Sequence, residues 1–378
     1  MTAGRSSGVD RPAGSAAGSV RSGSAGTGLD MADRASLEGR KPADWPLVTV
    51  TVLAYNRRDA VRDTLTKLLG DLDYPREGLE IIVVDNASTD GTAEMVESEF
   101  PAVRVLGMPE NLGAPALNRA FAQARGEWVL ILDDDCWIDG PALKLAISSA
   151  EATGSDLVSF RVRSGVDPAY YFSQGYTMGL FGFWGCAWII SRRALAVLVG
   201  YDPNIFIWGN EVELTMRFLS AGFRHLYLPD VVAVHMKAPP SGAADFHRHG
   251  VSMRHWSYAA AKLLQPGDAV RVIGRLLATI AIDAVVMSPR AAGSFWHALR
   301  GAVDGLRVRE PVRSQVSAIY RSDFVSFANP VIFIRTPRQR WRARGERSGI
   351  AADTGARYEA FLAQRRRYYP IEAGVLEV

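Results

Sequence analysis

Cysteine is nearly absent from this chain. Cys136 and Cys186 are the only two among 378 residues, too few for a disulfide framework or a four-thiolate metal centre. The natural compartment for such a chain is a reducing one, and a single bridge is the most the count allows. An excess of one charge is also missing: 43 Lys and Arg stand against 40 Asp and Glu, a formal net charge of +3. So mild a balance gives no argument from charge for nucleic acid, and none is expected as a partner. No run reaches the roughly 18 uninterrupted apolar residues of a membrane-spanning helix, because the nearest, Leu276 to Met287, is broken by Asp283. The first 30 residues lack the apolar core of a secretory signal and consist almost entirely of Gly, Ser, Ala, Arg and Thr. Together these absences lead to the expectation of a cytoplasmic protein, with peripheral contact on the inner face of a membrane left open.

What is present suits one large domain with an appendage: 48% of residues are hydrophobic and 22% charged. Residues 1–44 carry too little large apolar content to offset the entropy of ordering, which predicts a disordered Gly/Ser/Ala-rich leader. From Pro46 onward, β-branched runs alternate with segments of helical spacing. Strands are expected over Leu47–Leu53, Leu79–Val84, Val103–Leu106 and Trp128–Leu132, with helices over Arg58–Leu69, Thr89–Glu99 and Ala114–Arg125 between them. Such alternation predicts an α/β fold with a parallel central sheet flanked by helices on both faces. Beyond residue 240 the chain turns His- and Arg-rich, with helices expected over Val270–Met287 and Ala291–Leu306 and an Arg-dense tail over Arg335–Arg367. This predicts three parts: the leader, a domain over 45–240, and a mostly helical C-terminal appendage over 241–378.

Ligands on parallel sheets sit at the carboxyl ends of the strands, which draws attention to Ala54-Tyr55-Asn56, Asp85-Asn86 and Asp133-Asp134-Asp135. Three adjacent carboxylates repel one another, and a hard divalent ion, Mg²⁺ or Mn²⁺, would neutralise them and bridge to a diphosphate. An acidic solvated turn with helix capping is the competing reading, since Asp139 and Gly140 follow. Asp85, delivered by a buried strand, can accept from a base N–H or a ribose hydroxyl. Ser88 and Asp90 beside it are accounted for by turn and cap hydrogen bonds.

Ala54-Tyr-Asn-Arg57, Val84-Asp-Asn-Ala-Ser-Thr-Asp-Gly91, Asn111-Leu-Gly113 and Leu132-Asp-Asp-Asp135, in this order, resemble the family 2 glycosyltransferases of the GT-A fold. The likeness extends over residues 47 to about 236, and its specificity lies in the combination. It implies that Ala54, Tyr55, Asn56 and Asp85 line a nucleoside pocket and that Asn111 and Gly113 lie near the donor. It also implies that Asp133-Asp134-Asp135 is the DXD motif, with Asp133 toward the ribose and Asp135 on the metal.

Trp208-Gly-Asn-Glu-Val-Glu-Leu-Thr-Met-Arg217 is the next matching block. Asn210 reads as a helix cap with Glu211 in the first turn, where a carboxylate facing a cleft can take a proton from a hydroxyl. Dipole complementation, and an i,i+4 pair between Glu213 and Arg217, would also explain these acids. In similar family members the block reads Glu-Asp-x-Asp with the second residue as base, so the resemblance implies Glu211 as base, although Asn210 departs from the pattern. His235, ending an apolar run, resembles the family's strand-end metal histidine. His247, His249 and His255 fall in a loop or helix start where Arg248 or Arg254 could clamp a diphosphate.

The stretch from Tyr170 to Trp188 is rich in aromatics and glycine and suits an acceptor surface, with Trp184 beside Gly185 as the first contact and Trp208 as the second. The expected activity is transfer of a sugar from a nucleotide diphosphate to an acceptor hydroxyl with inversion. The acceptor is left open among glycans, lipid-linked glycans and small molecules. Two rivals stand beside it. A sugar nucleotidyltransferase would want a Gly-rich phosphate loop, which Ala54–Arg58 lacks, and a catalytically impaired nucleotide-sugar-binding subunit would account for Asn210. Self-association and a lipid contact through the C-terminal region stay open.

Overall fold

A computed structural model describes residues 40–166, 183–237, 246–286, 289–328, 371–372 and 375–376. The leader to residue 39 lies outside the described residues. So do Tyr170, Tyr176 and Phe181 of the aromatic stretch, and the Arg-dense tail.

The sheet begins with β1 (Val48–Ala54), β2 (Leu79–Asp85), β3 (Arg104–Gly107) and β4 (Trp128–Asp133), all parallel and ordered β3-β2-β1-β4. It does not stay parallel. After the two-residue β5 (Cys136–Trp137), β6 (Leu157–Ser164) and β8 (His225–His235) run parallel to each other, and β7 (Ala187–Ser191) lies antiparallel between β4 and β6. The far edge is completed by β10 (Val375–Leu376) on β8 and then β9 (Ile371–Glu372). The sheet is therefore mixed.

The apolar runs of the parallel strands serve both faces, because successive side chains point to opposite sides. Ile81 and Val83 pack with Val50, Val52, Leu65, Leu68, Val96 and Ile147 on one side. Ile82 and Val84 pack with Val129, Ile131, Trp188, Leu214 and Phe218 on the other. The first side is covered by helices Arg58–Asp71, Thr92–Glu99 and Ala142–Thr153.

The second side is covered by Asn210–Ser220 and, beyond it, by Phe246–Leu263, Pro266–Val286, Ser294–Arg307 and Ser314–Ala328. These C-terminal helices do not stand apart. Met253, Trp256, Ala260, Leu264, Leu276, Val316 and Tyr320 share one core with the sheet, so residue 240 marks no break in packing. Their polar groups are paired within the bundle: the His249 ring lies 2.7 Å from Ser294 Oγ and 3.2 Å from Asp283 Oδ2, all three buried.

The helix expected over 114–125 is shorter than its spacing suggests. Ala114–Ala116 is a 3-10 turn and only Leu117–Phe121 is α-helical. The turn contains Pro115 and is entered from Gly113 at φ 67°, a left-handed conformation that favours glycine.

Candidate active site

Register brings the site together. Ala54 lies opposite Asp85, and Leu53 opposite Asp133, so three strands deliver their terminal residues to one edge. The short β5 then pairs antiparallel with β8, setting Cys136 opposite His235, while Met236 N–H donates to Asp135 O at 2.9 Å. That pairing carries His235, a hundred residues downstream, onto the acidic triplet.

Ligand atoms of Asp133, Asp135 and His235 all lie within 4.8 Å of one another. His235 Nε2 is 2.9 Å from Asp135 Oδ1 and 3.9 Å from Asp133 Oδ2. Two carboxylates and an imidazole form a donor set that fits Mn²⁺ well and Mg²⁺ less naturally. Arg57 supplies positive charge to the same acids, with Nη1 3.2 Å from Asp134 Oδ1 and Nη2 2.9 Å from Asp135 Oδ2.

The environment separates the three carboxylates. Burial acts against an ionised Asp135, but hydrogen bonds and charge from His235 and Arg57 outweigh it and hold that carboxyl down to about 2. Burial raises Asp134 to about 7 in spite of Arg57. Burial also disfavours a charged His235, yet Cys186, Asp135 and Asp133 together lift it to about 10. A metal ion entering this group therefore competes with a proton on His235 and with the Arg57 guanidinium.

The loops after β1 and β2, where a nucleoside was expected, form a web of hydrogen bonds. Asn56, at φ 52°, accepts at Oδ1 from Thr89 N–H at 2.7 Å, and its own N–H donates to Ser88 Oγ at 3.0 Å. Asn86 holds the next loop: Nδ2 donates to Asn111 Oδ1 at 2.8 Å, and Oδ1 accepts from Leu112 N–H at 2.9 Å. Asn111 Oδ1 in turn accepts from Gly113 N–H at 2.9 Å. Asp85 Oδ2 accepts from Ser88 N–H at 3.3 Å, whereas Asp85 Oδ1 is buried without a hydrogen-bond partner among the described residues. Tyr55 stands exposed beside this web, and Ala54 is fully buried at the strand end.

Glu211 reaches the same region from the other sheet face. Its carboxyl is raised to about 7, first by burial and further by the charge of Asp133. Gly185 lies against it so closely that a Cβ there would sit 2.0 Å from Glu211 Oε1. The predicted acceptor residue Gly185 is thus a wall of the Glu211 seat, with half-buried Trp184 next to it.

Asn210 is not the helix cap expected of it. Gly209 occupies that position, and the Asn210 side chain, buried, donates from Nδ2 to Ile205 O at 2.6 Å. An acid at 210 would turn an anion toward that carbonyl, so the amide suits the loop this chain has. Trp208, at φ 59°, and Gly209, at φ 125°, bend the chain sharply into the helix. Glu213 is fully buried and bound to Arg217 at 2.8 and 2.7 Å and to Lys262 at 3.0 Å, which fixes the helix in place.

The two sides touch. Ala114 N–H donates to Phe206 O at 2.9 Å, and a Cβ on Gly113 would lie 2.2 Å from that same oxygen. Of the residues beyond 240 singled out for a diphosphate, His249 is internal to the bundle, His255 Nδ1 meets Ile207 O at 2.6 Å, and Arg254 pairs with Asp304 at 3.3 Å. Sequence reasoning assigned no role to Arg57, Asn86 or Cys186. Arg57 and Asn86 stand inside the quoted motifs, and their loop positions after β1 and β2 were the available signal.

Known proteins resemble this chain over the region that carries the strand-end acids. Glycosyl transferase family 2 matches residues 49–207. Glycosyltransferase AglE of Haloferax volcanii is 28% identical over 214 residues, 51% of this chain and 68% of that protein. The probable glycosyltransferase YdaM of Bacillus subtilis is 27% identical over 212 residues, and the chain spans only half of its length. Among solved structures, the mannosyltransferase PcManGT from Pyrobaculum calidifontis, in complex with GDP-Man and Mn²⁺, aligns with a TM-score of 0.49 and 20% identity, covering 89% of this chain and 93% of that one. Residues 49–207, which carry the strand-end acids and loops described above, match glycosyl transferase family 2.

Proposed function

We propose that this protein transfers a sugar from a nucleoside diphosphate carrier to an acceptor hydroxyl with inversion at the anomeric carbon, Glu211 acting as the base. The observation that carries the reading is the meeting of two unlike groups at one edge. Glu211, with a carboxyl raised to about 7, lies within electrostatic reach of Asp133 of the Asp133–Asp135–His235 group.

Glu211 accepts the acceptor's proton as its oxygen bonds to the anomeric carbon, while the bond from that carbon to the diphosphate oxygen breaks on the opposite face. The proton ends on Glu211 and the electron pair leaves with the nucleoside diphosphate. A raised carboxyl suits this step, since a base works best when its affinity for protons is near the working pH. Asp133, Asp135 and His235 would hold a divalent ion, which supplies positive charge to the departing diphosphate. Asp85, with its unpartnered Oδ1, and the loops of Asn56 and Asn111–Gly113 bind the nucleoside portion. Trp184 and Trp208 flank the acceptor's approach.

A silent binding subunit is disfavoured by Asn210, whose amide is committed to Ile205 O and leaves Glu211 available. The test is a panel of UDP, dTDP and GDP sugars with Mn²⁺, read by binding and by nucleotide release, on the natural protein and Glu211→Gln. The variant should bind the preferred donor within a few-fold of the parent while transfer falls by about 10²–10⁴. Full transfer by Glu211→Gln removes Glu211 as base, and binding of no member of the panel removes the donor class.

A further inference from the structure

Helix Ser294–Arg307 is built inside out. Its inward residues are Ser294, Ala298, Gly301, Ala302 and Gly305, all small and buried. They let it approach helix Phe246–Leu263 backbone to backbone: a Cβ on Gly301 would lie 2.0 Å from Arg254 O, and one on Gly305 2.3 Å from Tyr258 O. The large apolar residues point the other way. Trp296 is 72% exposed, Leu306 57%, Val303 48% and Phe295 38%, with Val308 just past the helix end at 45%.

At about 100° per residue, Trp296 and Val303 fall at the centre of the outward face. Leu299, Leu306 and Phe295 lie to one side, and Arg300 and Arg307 to the other. Both guanidinium groups are largely exposed, with side-chain exposures of 76% and 73%. The acid on that flank, Asp304, is 3.3 Å from Arg254 and 3.3 Å from Arg307. The outward face thus joins an exposed apolar strip to a cationic border, in which Arg300 and Arg307 lie 3.9 and 3.3 Å from Asp304 while their side chains stay largely exposed.

We infer that this face is a docking surface for an anionic lipid bilayer, with the helix lying in the plane of the headgroups. Its shape and charge favour that occupant over a second copy of the chain. Fourteen residues make a strip about 21 Å long and about one helix wide, on the order of 200 Å². A stable protein interface needs about 800 Å² on each partner. A narrow apolar strip with an aromatic residue and flanking arginines is what shallow insertion beside anionic headgroups requires. Among the described residues no helix is long and apolar enough to cross a membrane, so the contact is with the surface.

The experiment uses the full chain with phosphatidylcholine vesicles and with vesicles enriched in phosphatidylglycerol, read by flotation, alongside its oligomeric state without lipid. The protein should partition onto the anionic vesicles and release with salt. Trp296→Glu should reduce partition at least about tenfold, the scale of withdrawing one large aromatic from an apolar phase. Arg300→Glu and Arg307→Glu should each reduce it roughly fivefold or more. All three positions are exposed, and an unchanged melting temperature and nucleotide affinity would verify the fold. No partition by the natural protein, or partition that all three variants retain, overturns the inference. So does a dimer without lipid that Trp296→Glu makes monomeric, which would assign the face to a second copy.

Discussion

The proposed donor side and the proposed base side of this cleft are built in different ways. The donor side is a row of strand ends in register, Ala54, Asp85 and Asp133, whose loops are tied to one another by Asn56, Asn86 and Asn111. Each position follows from the strand before it. The base side depends on residues far apart in sequence: Glu211 is seated against Gly185 and entered through the bent segment at Trp208 and Gly209, and its helix is anchored by Glu213, Arg217 and Lys262. The comparison teaches that damage should separate cleanly. Changes on the donor side should weaken nucleotide binding, and changes on the base side should spare it.

The sharpest test after Glu211→Gln is Gly185→Ala. A methyl group there must displace the Glu211 carboxylate, and misplacement of a reacting group by about 1 Å costs about 10²-fold in turnover. Nucleotide affinity should stay near the parent's, as measured by calorimetry. If affinity falls as far as turnover, the two sides are not separable.

Next is the pH profile. Burial places Glu211 at about 7, and only its carboxylate can take a proton. Turnover should therefore drop about tenfold per pH unit below about 7 and level off above it. Donor affinity should not follow the same curve, and single-turnover measurements across pH 5 to 9 would show the difference.

On the proposed donor side, Asn86→Ala leaves Leu112 N–H without its partner and takes one of two donors from Asn111 Oδ1. The expected cost is about 1–3 kcal/mol of stability, with a raised KM for donor and a smaller change in kcat. Chemical denaturation and steady-state kinetics measure the two effects. The smallest effect should come from Arg57→Ala. It removes a cation that competes for Asp134 and Asp135, so Mn²⁺ should bind a few-fold more tightly without nucleotide, by electron paramagnetic resonance titration. Weaker Mn²⁺ binding would show instead that Arg57 preorganises the acids.

Much of the row of strand ends was legible in the sequence, because each strand and the acids that end it are contiguous. β-branched runs at Val48–Ala54 and Leu79–Asp85 announce buried strands, and the residues that follow must emerge at their carboxyl ends. The mixed sheet was less legible. Nothing local in Ala187–Ser191 states that it lies antiparallel to β4, and the pairing that puts Cys136 opposite His235 is long-range. Asn210 looked like a cap because capping residues are recognised by type, whereas its true partner, Ile205 O, depends on the path of the loop before it.

The C-terminal helices looked separable because their sequence is dense in His and Arg. Physically, some of their polar groups are turned inward: Lys262 reaches Asp202 at 2.6 Å and the His249 ring faces Asp283. Polar residues paired inside a bundle cannot be told from solvated ones by composition alone.

The contact between Gly113 and Phe206 bears on how such proteins can be re-engineered. With Ala114 bonded to the Phe206 carbonyl and no room for a side chain at 113, the segments around 111–116 and 205–209 form one exchangeable piece. A graft that imports a foreign donor loop alone would bring a mismatched partner to the entrance of the Glu211 helix. Transplanting both segments together keeps the Ala114–Phe206 hydrogen bond and the close approach at Gly113 intact.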